Sequence, residues 1–276
     1  MRTEKLASMG RMSTAVAHEI RNPLAAIVQA NALLDEDVAE PRLRQLTRMV
    51  QQNAQRLEKI VDDILDLSRA QGPRDAAASA PLQLDAAVAR ICGEWAEHTR
   101  CGDLLALRLA LPGVQVAFDE EHLRRVLVNL LDNARRHASG QPGAIRVRSR
   151  WSSPGRAQVS RDAADGAAAS QPVDGFAVLG VWSDGPPMEP SVERHLFEPF
   201  FSSESRSTGL GLYLCRELCE GHGAVIAFER VRRHDAAGGP AEGNEFFVTF
   251  ARPVAPHGAA EASARIQATL WQPSPP

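Results

Sequence analysis

The residues with the clearest chemical potential lie near the start of the chain, in the sequence His-Glu-Ile-Arg-Asn-Pro-Leu at positions 18–24. Apolar residues recur around them at helical spacing. A histidine beside a carboxylate on such a helix suits nucleophilic catalysis: Glu19 takes a proton from one ring nitrogen of His18 while the other attacks an electrophile. Asn22 follows one turn later, where its amide can orient a water or a phosphoryl oxygen. Taken alone, this pattern is more typical of an ordinary surface histidine.

A second polar group is predicted on one stripe of a later helix, where Asn129, Asn133 and Arg136 follow one another at single turns. Carboxamide oxygens are ligands for Mg²⁺, which keeps waters and phosphate oxygens as its other ligands. The guanidinium of Arg136 offers a forked donor to phosphates. The alternative for this stripe is a solvated polar helix face.

Three further stretches complete the set of candidate residues. Positions 183–187 (Ser-Asp-Gly-Pro-Pro) follow a predicted strand and form a turn that could hold the edge of a base. Positions 197–201 (Phe-Glu-Pro-Phe-Phe) are an apolar hinge beside the polar stretch 202–207. Positions 208–212 (Thr-Gly-Leu-Gly-Leu) place glycines at a helix start, where bare backbone amides bind phosphate well; a tight turn is the alternative.

Composition limits the class of protein. The chain has 276 residues, a net charge of −3 and four cysteines. It is predicted to be a soluble protein of one or two domains without affinity for nucleic acid. The cysteines fit a reducing cytoplasm, and Cys215 and Cys219 are interpreted as buried thiols rather than half of a metal site. No signal peptide or membrane span is predicted, and a membrane sensor upstream of this chain is left open.

The first domain, residues 1–72, is predicted to be a helical hairpin of residues 2–35 and 41–70. Pro41 suits the first turn of the second helix, whereas Pro23 should bend the first helix. The two apolar stripes are too large to cover each other, so two hairpins are expected to pair as a four-helix bundle in a homodimer.

The second domain, residues 73–251, is predicted to follow a linker at 74–80 and to be an α/β sandwich with helices on one face of a mixed sheet. Asp85 is interpreted as a helix cap. An insertion at 152–175 and a tail at 252–276 are predicted to be disordered. The predicted strands are 82–84, 105–109, 114–118, 145–151, 176–182, 224–229 and 245–251, and the predicted helices end near 99, 137 and 220.

In this order, the five stretches resemble those of the sensor histidine kinases of two-component signalling, over about residues 1–251. The resemblance implies that His18 is phosphorylated, that Glu19 is its base and that Asn22 assists dephosphorylation. It also implies a dimerising hairpin followed by an ATP-binding α/β sandwich shared with gyrase and the Hsp90 chaperone. The helix at 214–220 is most similar to that of proteobacterial kinases that control type IV pili.

The resemblance further assigns roles in the second domain. Asn133 would hold Mg²⁺, Asn129 would support the phosphates and His137 would border the adenine. Residues 197–201 match the phenylalanine box. The nucleotide-binding set implied for the two glycine boxes comprises Ser183, Asp184, Gly185, Thr208, Gly209, Leu210, Gly211 and Leu212.

The first glycine box departs from the family pattern. The family has an Asp that accepts a hydrogen bond from the adenine amino group, whereas this chain has Ser183, with a carboxylate one residue later at Asp184. Pro187 replaces the second glycine, and Ser207 replaces the glycine before the second box. A serine accepts the same bond without charge assistance, so weaker ATP binding is expected, with Asp184 or a water held by Ser183 meeting the adenine amino group.

The sequence therefore predicts a kinase that transfers the γ-phosphoryl group of Mg-ATP to His18 and then to an aspartate of a response regulator, with phosphatase activity as a second capacity. Two alternatives remain open. One is a catalytically weakened module that docks or only dephosphorylates a regulator. The other is an ATPase machine of the same nucleotide-binding fold, against which the His18 stretch argues.

Overall fold

The computed structural model describes residues 14–70, 81–152, 175–201, 208–234 and 240–250. It divides into two compact units: the first comprises the N-terminal helices and Pro190–Glu217, and the second comprises Asp75–Glu189 with the chain from Leu218 onward. The predicted linker, most of the predicted insertion and the tail lie outside the described residues. None of the described helices is both long and apolar enough to cross a membrane.

The first unit begins with a helical hairpin, as predicted. Helix α1 is Thr14–Asp37 and helix α2 is Pro41–Ala70, so Pro41 occupies the first helical position. Inside the hairpin, the buried Asn31 donates a hydrogen bond to the carbonyl oxygen of Thr47 at 2.9 Å and approaches the Gln51 side-chain oxygen at 3.3 Å. Buried amides need such partners, and these bonds fix how the two helices align.

Many large apolar side chains of the hairpin remain exposed. The exposed fraction is 64% for Leu33, 58% for Leu34 and 56% for Leu46. A single hairpin therefore leaves much of its apolar surface in water, which is unusual for a stable isolated structure. The other members of this exposed apolar face are Ile20, Ile27, Leu43, Met49, Val50 and Leu57.

The remainder of the first unit contains a short helix, α5 (Pro190–Glu193), and the start of α6 (Gly211–Gly221). The expectation that a helix begins at Thr208 is wrong. Gly209 has a φ of 67°, in the left-handed region, so a right-handed helix cannot run through it.

The second unit contains a two-stranded pair and a five-stranded sheet. The pair joins β1 (Leu82–Gln83) and β3 (Gln115–Val116), and the strands of the sheet are β2 (Leu105–Arg108), β4 (Ile145–Ser152), β5 (Phe176–Ser183), β6 (Val225–His234) and β7 (Pro240–Phe250). The strands of the sheet lie in the order β2-β4-β5-β7-β6. Strands β2 and β4 are parallel and the other neighbours are antiparallel, which confirms the predicted mixed sheet.

Helices α3 (Leu84–Thr99) and α4 (Glu120–His137) contact each other, and α4 packs on β4 and β5. The buried residues of α4 recur at helical spacing and include Leu123, Leu127 and Leu130, each no more than 1% exposed. The large side chains Trp182, Phe118 and Phe250 are also wholly buried. This unit therefore closes an apolar core within one chain.

Two local expectations for the second unit are corrected. Asp85 is not a helix cap: the cap position is Gln83, and an oxygen of Asp85 instead accepts a hydrogen bond from the Leu111 amide at 2.7 Å. The final hairpin is longer than predicted, because β6 and β7 pair from Val225 to His234. Their arginine and glutamate side chains pair across the strands, which extends a ladder that hydrophobic alternation alone did not reveal.

Candidate functional site

The candidate phosphoacceptor residues lie on α1. His18, Glu19 and Asn22 all fall within this helix, although the side chains of the first two are outside the described part of the structure. The Asn22 side chain is exposed. Its neighbour Arg21 forms an ion pair and hydrogen bond with Asp62 of α2, which ties this part of α1 to the second helix.

Helix α4 carries the candidate metal and phosphate ligands, and its ends explain why it forms where the sequence predicted. The Asp119 side chain caps the first turn by accepting a hydrogen bond from the His122 amide at 2.9 Å. Glutamates occupy the first turn, and Arg135, Arg136 and His137 occupy the last turn. Both groups of charges complement the helix dipole.

Asn129, Asn133 and Arg136 occupy one stripe that flanks the buried face of α4. The amide nitrogen of Asn129 donates to the carbonyl oxygen of Arg125 at 3.0 Å. That bond orients the carboxamide so that its oxygen can accept from, or coordinate, another group. An oxygen ligand of this kind, with Asn133 one turn away, fits the preferences of Mg²⁺.

Asp132, between the two asparagines, has a structural partner that the sequence did not reveal. The indole nitrogen of Trp95, on α3, donates to Oδ1 of Asp132 at 3.0 Å. Trp95 is only 5% exposed, so this bond joins the core of α3 to the polar side of α4. It ties α4 to α3 at a position beside the stripe of candidate ligands.

The candidate base-binding turn begins at Ser183, the buried last residue of β5. Asp184 is tied to the loop after α4. Its carboxylate accepts from the Ser139 amide at 2.9 Å and from the Ser139 hydroxyl, and its own amide donates to the Ala144 carbonyl at 3.2 Å. These bonds fix the Asp184 carboxylate to the loop, and Ser183 stands where the family pattern has its base-contacting Asp, so Ser183 is the better candidate for contact with a base.

The turn also packs against the end of α4. A Cβ atom at Gly185 would lie 2.8 Å from the carbonyl oxygen of His137, closer than side chains approach backbone. Only glycine fits at this position without a shift of the backbone. The structure thus brings together His137 and Gly185, which the sequence assigned to one site.

The phenylalanine box and second glycine box meet within the first unit. The Phe200 amide donates to the Gly209 carbonyl at 3.0 Å, and both residues have a φ above 60°. A Cβ atom at Gly209 would lie 2.7 Å from the carbonyl carbon of Phe200. Phe200 and Gly209, on either side of the 202–207 stretch that lies outside the described residues, are therefore joined through backbone atoms. Both the conformation of position 209 and the space around it require glycine.

Thr208 connects this junction to α2. Its hydroxyl donates to Oδ2 of Asp63 at 3.1 Å and accepts from the Leu210 amide at 3.3 Å. Beyond it, Leu210 is fully buried, Gly211 is the first residue of α6 and Leu212 is half-buried. The second glycine box therefore precedes and starts a helix, the arrangement expected for phosphate binding.

The prediction that Cys215 and Cys219 are buried thiols is confirmed, since neither forms a disulfide and both are fully buried. Burial, with a smaller contribution from the negative charge of Asp63, raises the pKa of the Cys215 thiol. Burial also raises the pKa of Cys92 to about 12. Thiols of this kind stay protonated and unreactive at neutral pH.

Two sequence families match the chain in the order that the motifs implied. The His Kinase A (phospho-acceptor) domain matches residues 8–73, and the Histidine kinase-, DNA gyrase B-, and HSP90-like ATPase matches residues 118–254. The chain belongs to the sensor histidine kinases of two-component signalling. The ATPase match includes Pro190–Glu217, which the structure groups with the helical hairpin.

Among curated relatives, the chain is 36% identical over 250 residues to the sensor protein kinase PilS of Pseudomonas aeruginosa, covering 90% of this chain and 42% of PilS. It is 30% identical over 255 residues to the sensor histidine kinase ZraS of Klebsiella oxytoca, covering 92% of this chain and 48% of ZraS. The chain thus spans less than half the length of these two relatives.

Two solved structures share the fold. Full-length ShkA in complex with AMPPNP aligns with a TM-score of 0.58 at 20% identity, covering 93% of this chain and 48% of that one. The histidine kinase AdeS of Acinetobacter baumannii aligns with a TM-score of 0.52 at 18% identity, covering 86% of this chain and 98% of AdeS. These likenesses confirm the predicted architecture of a helical region followed by a mixed α/β sheet domain.

Proposed function

We propose that the chain is an ATP-dependent protein histidine kinase that phosphorylates His18 and passes the phosphoryl group to an aspartate of a response regulator. The observation that carries the proposal is the packing of the 183–187 turn against the carboxyl end of α4, at Gly185 and His137. This packing sets a candidate base-binding turn beside the helix that carries Asn129 and Asn133. The family membership supplies the reaction class.

The phosphoacceptor chemistry is assigned to three residues of α1. One ring nitrogen of His18 attacks the γ-phosphorus of ATP, the bond from phosphorus to the bridging oxygen breaks, and ADP leaves with that oxygen. Glu19 takes the proton from the other ring nitrogen. In the separate phosphatase reaction, the exposed Asn22 amide orients a water that attacks the phosphorus of the regulator's phosphoaspartate, so that inorganic phosphate leaves and the free carboxylate is regenerated.

The phosphate side is assigned to α4 and to the start of α6. Mg²⁺, when bound, neutralises charge on the phosphate oxygens, and Asn133 would hold it with Asn129 in support. Arg136, which is exposed at the end of α4, offers its guanidinium to the phosphates. The backbone amides of Gly209 and Gly211 are the remaining donors, because glycine lets an anion approach the backbone closely.

Base recognition is assigned to the 183–187 turn, with His137 at its border. Ser183 accepts the hydrogen bond from the adenine amino group, directly or through a water, while Asp184 holds the turn in place through Ser139. A neutral acceptor is weaker than the charged one of the family pattern, so ATP binding is expected to be weak. A hydroxyl also donates, so discrimination between ATP and GTP is expected to be low.

The exposed apolar face of the hairpin supports a homodimer. Pairing with the same face of a second chain would remove side chains such as Leu34, Leu46 and Leu57 from water. The partner of the phosphorylated dimer is a response regulator, whose aspartate receives the phosphoryl group. Because the donor is ATP, the reaction is assigned to the cytoplasm.

The Asn133→Asp variant tests the nucleotide half of this proposal. The new carboxylate repels the phosphates, so self-labelling from γ-labelled ATP and Mg²⁺ should be lost. Acceptance of phosphate from a phosphorylated regulator should persist, since it needs His18 and no nucleotide. The matched control is Gln115→Glu, the corresponding change of amide to carboxylate at an exposed residue of β3, in the same unit as Asn133.

Retained labelling in Asn133→Asp would contradict the assignment of this residue. Equal loss of both reactions would show that the substitution acts through folding. If the wild type binds no nucleotide at millimolar ATP, the chain is instead a module that docks or dephosphorylates a regulator, the function to which the altered Ser183 and Pro187 then point.

A further inference from the structure

The 183–187 turn is held from the sheet by two side chains that the sequence motifs do not include. Arg230, on β6, donates through Nη1 to the Gly185 carbonyl at 3.2 Å and to the side-chain oxygen of Asn244 at 3.0 Å. Asn244, on β7, donates through its amide nitrogen to the Pro186 carbonyl at 2.9 Å. Two consecutive carbonyl oxygens of the turn are therefore bound by side chains of neighbouring strands.

Both side chains are fixed by further contacts. Asn244 is 4% exposed, pairs with Ser183 in the ladder between β7 and β5, and uses both ends of its amide in the bonds above. The second guanidinium nitrogen of Arg230 lies 3.9 Å from a carboxylate oxygen of Glu242. Arg230 and Asn244 thus connect the turn to strands β6 and β7 of the sheet.

The composition of the turn explains why side chains are needed there. Pro186 and Pro187 have no N–H group, so neither can donate a backbone hydrogen bond to close the turn. The buried Gly185 and the exposed Pro186 each present a carbonyl oxygen that can accept from partners elsewhere in the fold. Arg230 and Asn244 provide those partners from the sheet, while Asp184 anchors the turn on the other side, to Ser139.

We propose that Arg230 and Asn244 are positioning residues for nucleotide binding, which fix the Gly185 and Pro186 carbonyls and thereby place Ser183 against a bound base. Neither residue is assigned a contact with the reacting atoms. This inference rests on the proposed function, because the role of the turn in base recognition is part of that proposal. It adds two supporting residues from the sheet to the altered first glycine box.

The first test is the dependence of self-labelling on ATP concentration in the whole chain. Asn244→Ala removes the donor to Pro186 and the acceptor for Arg230, so the half-saturating ATP concentration should rise about tenfold. The maximal labelling rate should stay within about twofold of the wild type, because the phosphate-side residues are unchanged. A purely structural role would lower the rate as well.

Two further variants distinguish the hydrogen bond from Asn244 to Pro186 from the hydrogen bonds that Arg230 donates. Asn244→Asp keeps an acceptor for Arg230 but places a carboxylate oxygen against the Pro186 carbonyl oxygen, so it should give a rise at least as large as Asn244→Ala if the bond to Pro186 matters. Arg230→Lys keeps a donor of the same charge without the fork, and should partly rescue the defect of Arg230→Ala. The matched control is Arg232→Ala, which removes an exposed arginine of β6 that pairs with Glu242 and has no bond to the turn.

The second test needs no nucleotide. Hydrogen exchange at the amides of Asp184 and Gly185 should be faster in Asn244→Ala and Arg230→Ala than in the wild type, and unchanged in Arg232→Ala. Melting temperatures of all variants show whether the effect is local. Faster local exchange with the shift in half-saturation supports the proposal.

Unchanged exchange at the turn in both alanine variants would overturn the proposal, as would a loss of maximal rate that matches a general loss of stability. If the wild type fails to bind ATP, the proposed function fails. The exchange measurement then still decides whether Arg230 and Asn244 hold the turn, and unchanged exchange would again overturn that placement.

Discussion

The α/β unit and the helical hairpin differ in how much of their large apolar side chains they bury. In the α/β unit, large side chains such as Trp182, Phe118 and Leu127 are no more than 1% exposed. In the helical hairpin, Leu33, Leu34 and other large apolar side chains are more than half exposed. The first region completes a core within one chain, whereas the second leaves a face that only another surface can cover. Stability of the hairpin should therefore depend on protein concentration, and that of the α/β unit should not.

The largest effect is expected from placing charges on the exposed face of the hairpin. The double variant Leu46→Glu/Leu57→Glu buries two carboxylates in the proposed dimer interface, which should weaken dimerisation by about a thousandfold or more. Sedimentation equilibrium measures the dissociation constant of the dimer for the wild type and the double variant. The control is Leu107→Glu on β2, also an exposed leucine but on the α/β unit, where the dimer should be unaffected. A double variant that remains dimeric would show that this face has another role.

A cavity in the α/β core should act on folding alone. Leu127 is fully buried in α4, and Leu127→Ala should lower the free energy of unfolding of this unit by about 3 kcal/mol. Urea unfolding at two protein concentrations is the measurement, and the change should be the same at both. A concentration-dependent loss would mean that the α/β unit also relies on a second chain.

The α/β unit departs from the family pattern at Ser183, and restoring the carboxylate should sharpen its function. Ser183→Asp should tighten ATP binding about ten- to 150-fold, since a charge-assisted hydrogen bond contributes about 1.5–3 kcal/mol. Discrimination against GTP should improve with it, because GTP presents a carbonyl where ATP presents an amino group. Calorimetry measures the affinities for ATP and for GTP. The Asp184→Ala variant is measured in the same way, and it tests the hydrogen bonds between Asp184 and Ser139. No gain for Ser183→Asp would mean that Pro187 has reshaped the turn.

Opposite effects are expected from adding one methyl group at two glycines. Gly209→Ala places a Cβ at a φ of 67° and against the Phe200 backbone, and should destabilise its unit by about 2–4 kcal/mol, because backbone strain and steric overlap add. Gly93→Ala lies within α3 with no atom within 4 Å of the new Cβ, and should stabilise by about 0.5–1 kcal/mol. Thermal unfolding compares the two. A neutral Gly209→Ala would show that the junction with Phe200 is not formed in solution.

The parts of the fold that the sequence predicted well are those fixed by neighbouring residues. Both ends of α2 follow from Pro41 and from the Gly-Pro sequence at 72–73, and α4 follows from the Asp119 cap and from its terminal charges. The errors lie where distant contacts decide. The local sequence favours Asp85 as a helix cap, whereas the hydrogen-bond partner of its side chain is Leu111, 26 positions away.

The residues of the candidate site also fall into two groups, those found from sequence motifs and those found only from the structure. The resemblance identified the motif residues, and the structure joins Gly185 to His137 and Gly209 to Phe200. Arg230 and Asn244 could not be found from the sequence, because they reach the turn through strand register and belong to no local pattern. The positions of the His18 and Glu19 side chains, and the binding of Mg²⁺ by Asn133, remain predictions.

The central claim is that His18 accepts a phosphoryl group from ATP, and one labelling experiment tests it most directly. Wild-type protein and His18→Gln are incubated with γ-labelled ATP and Mg²⁺, and the bound label is treated with acid and with alkali. We expect label on the wild type that is lost in acid and stable in alkali, and none on His18→Gln, which should remain a folded dimer. Equal labelling of His18→Gln, or wild-type label that survives acid, would contradict the assignment of His18 as the phosphoacceptor.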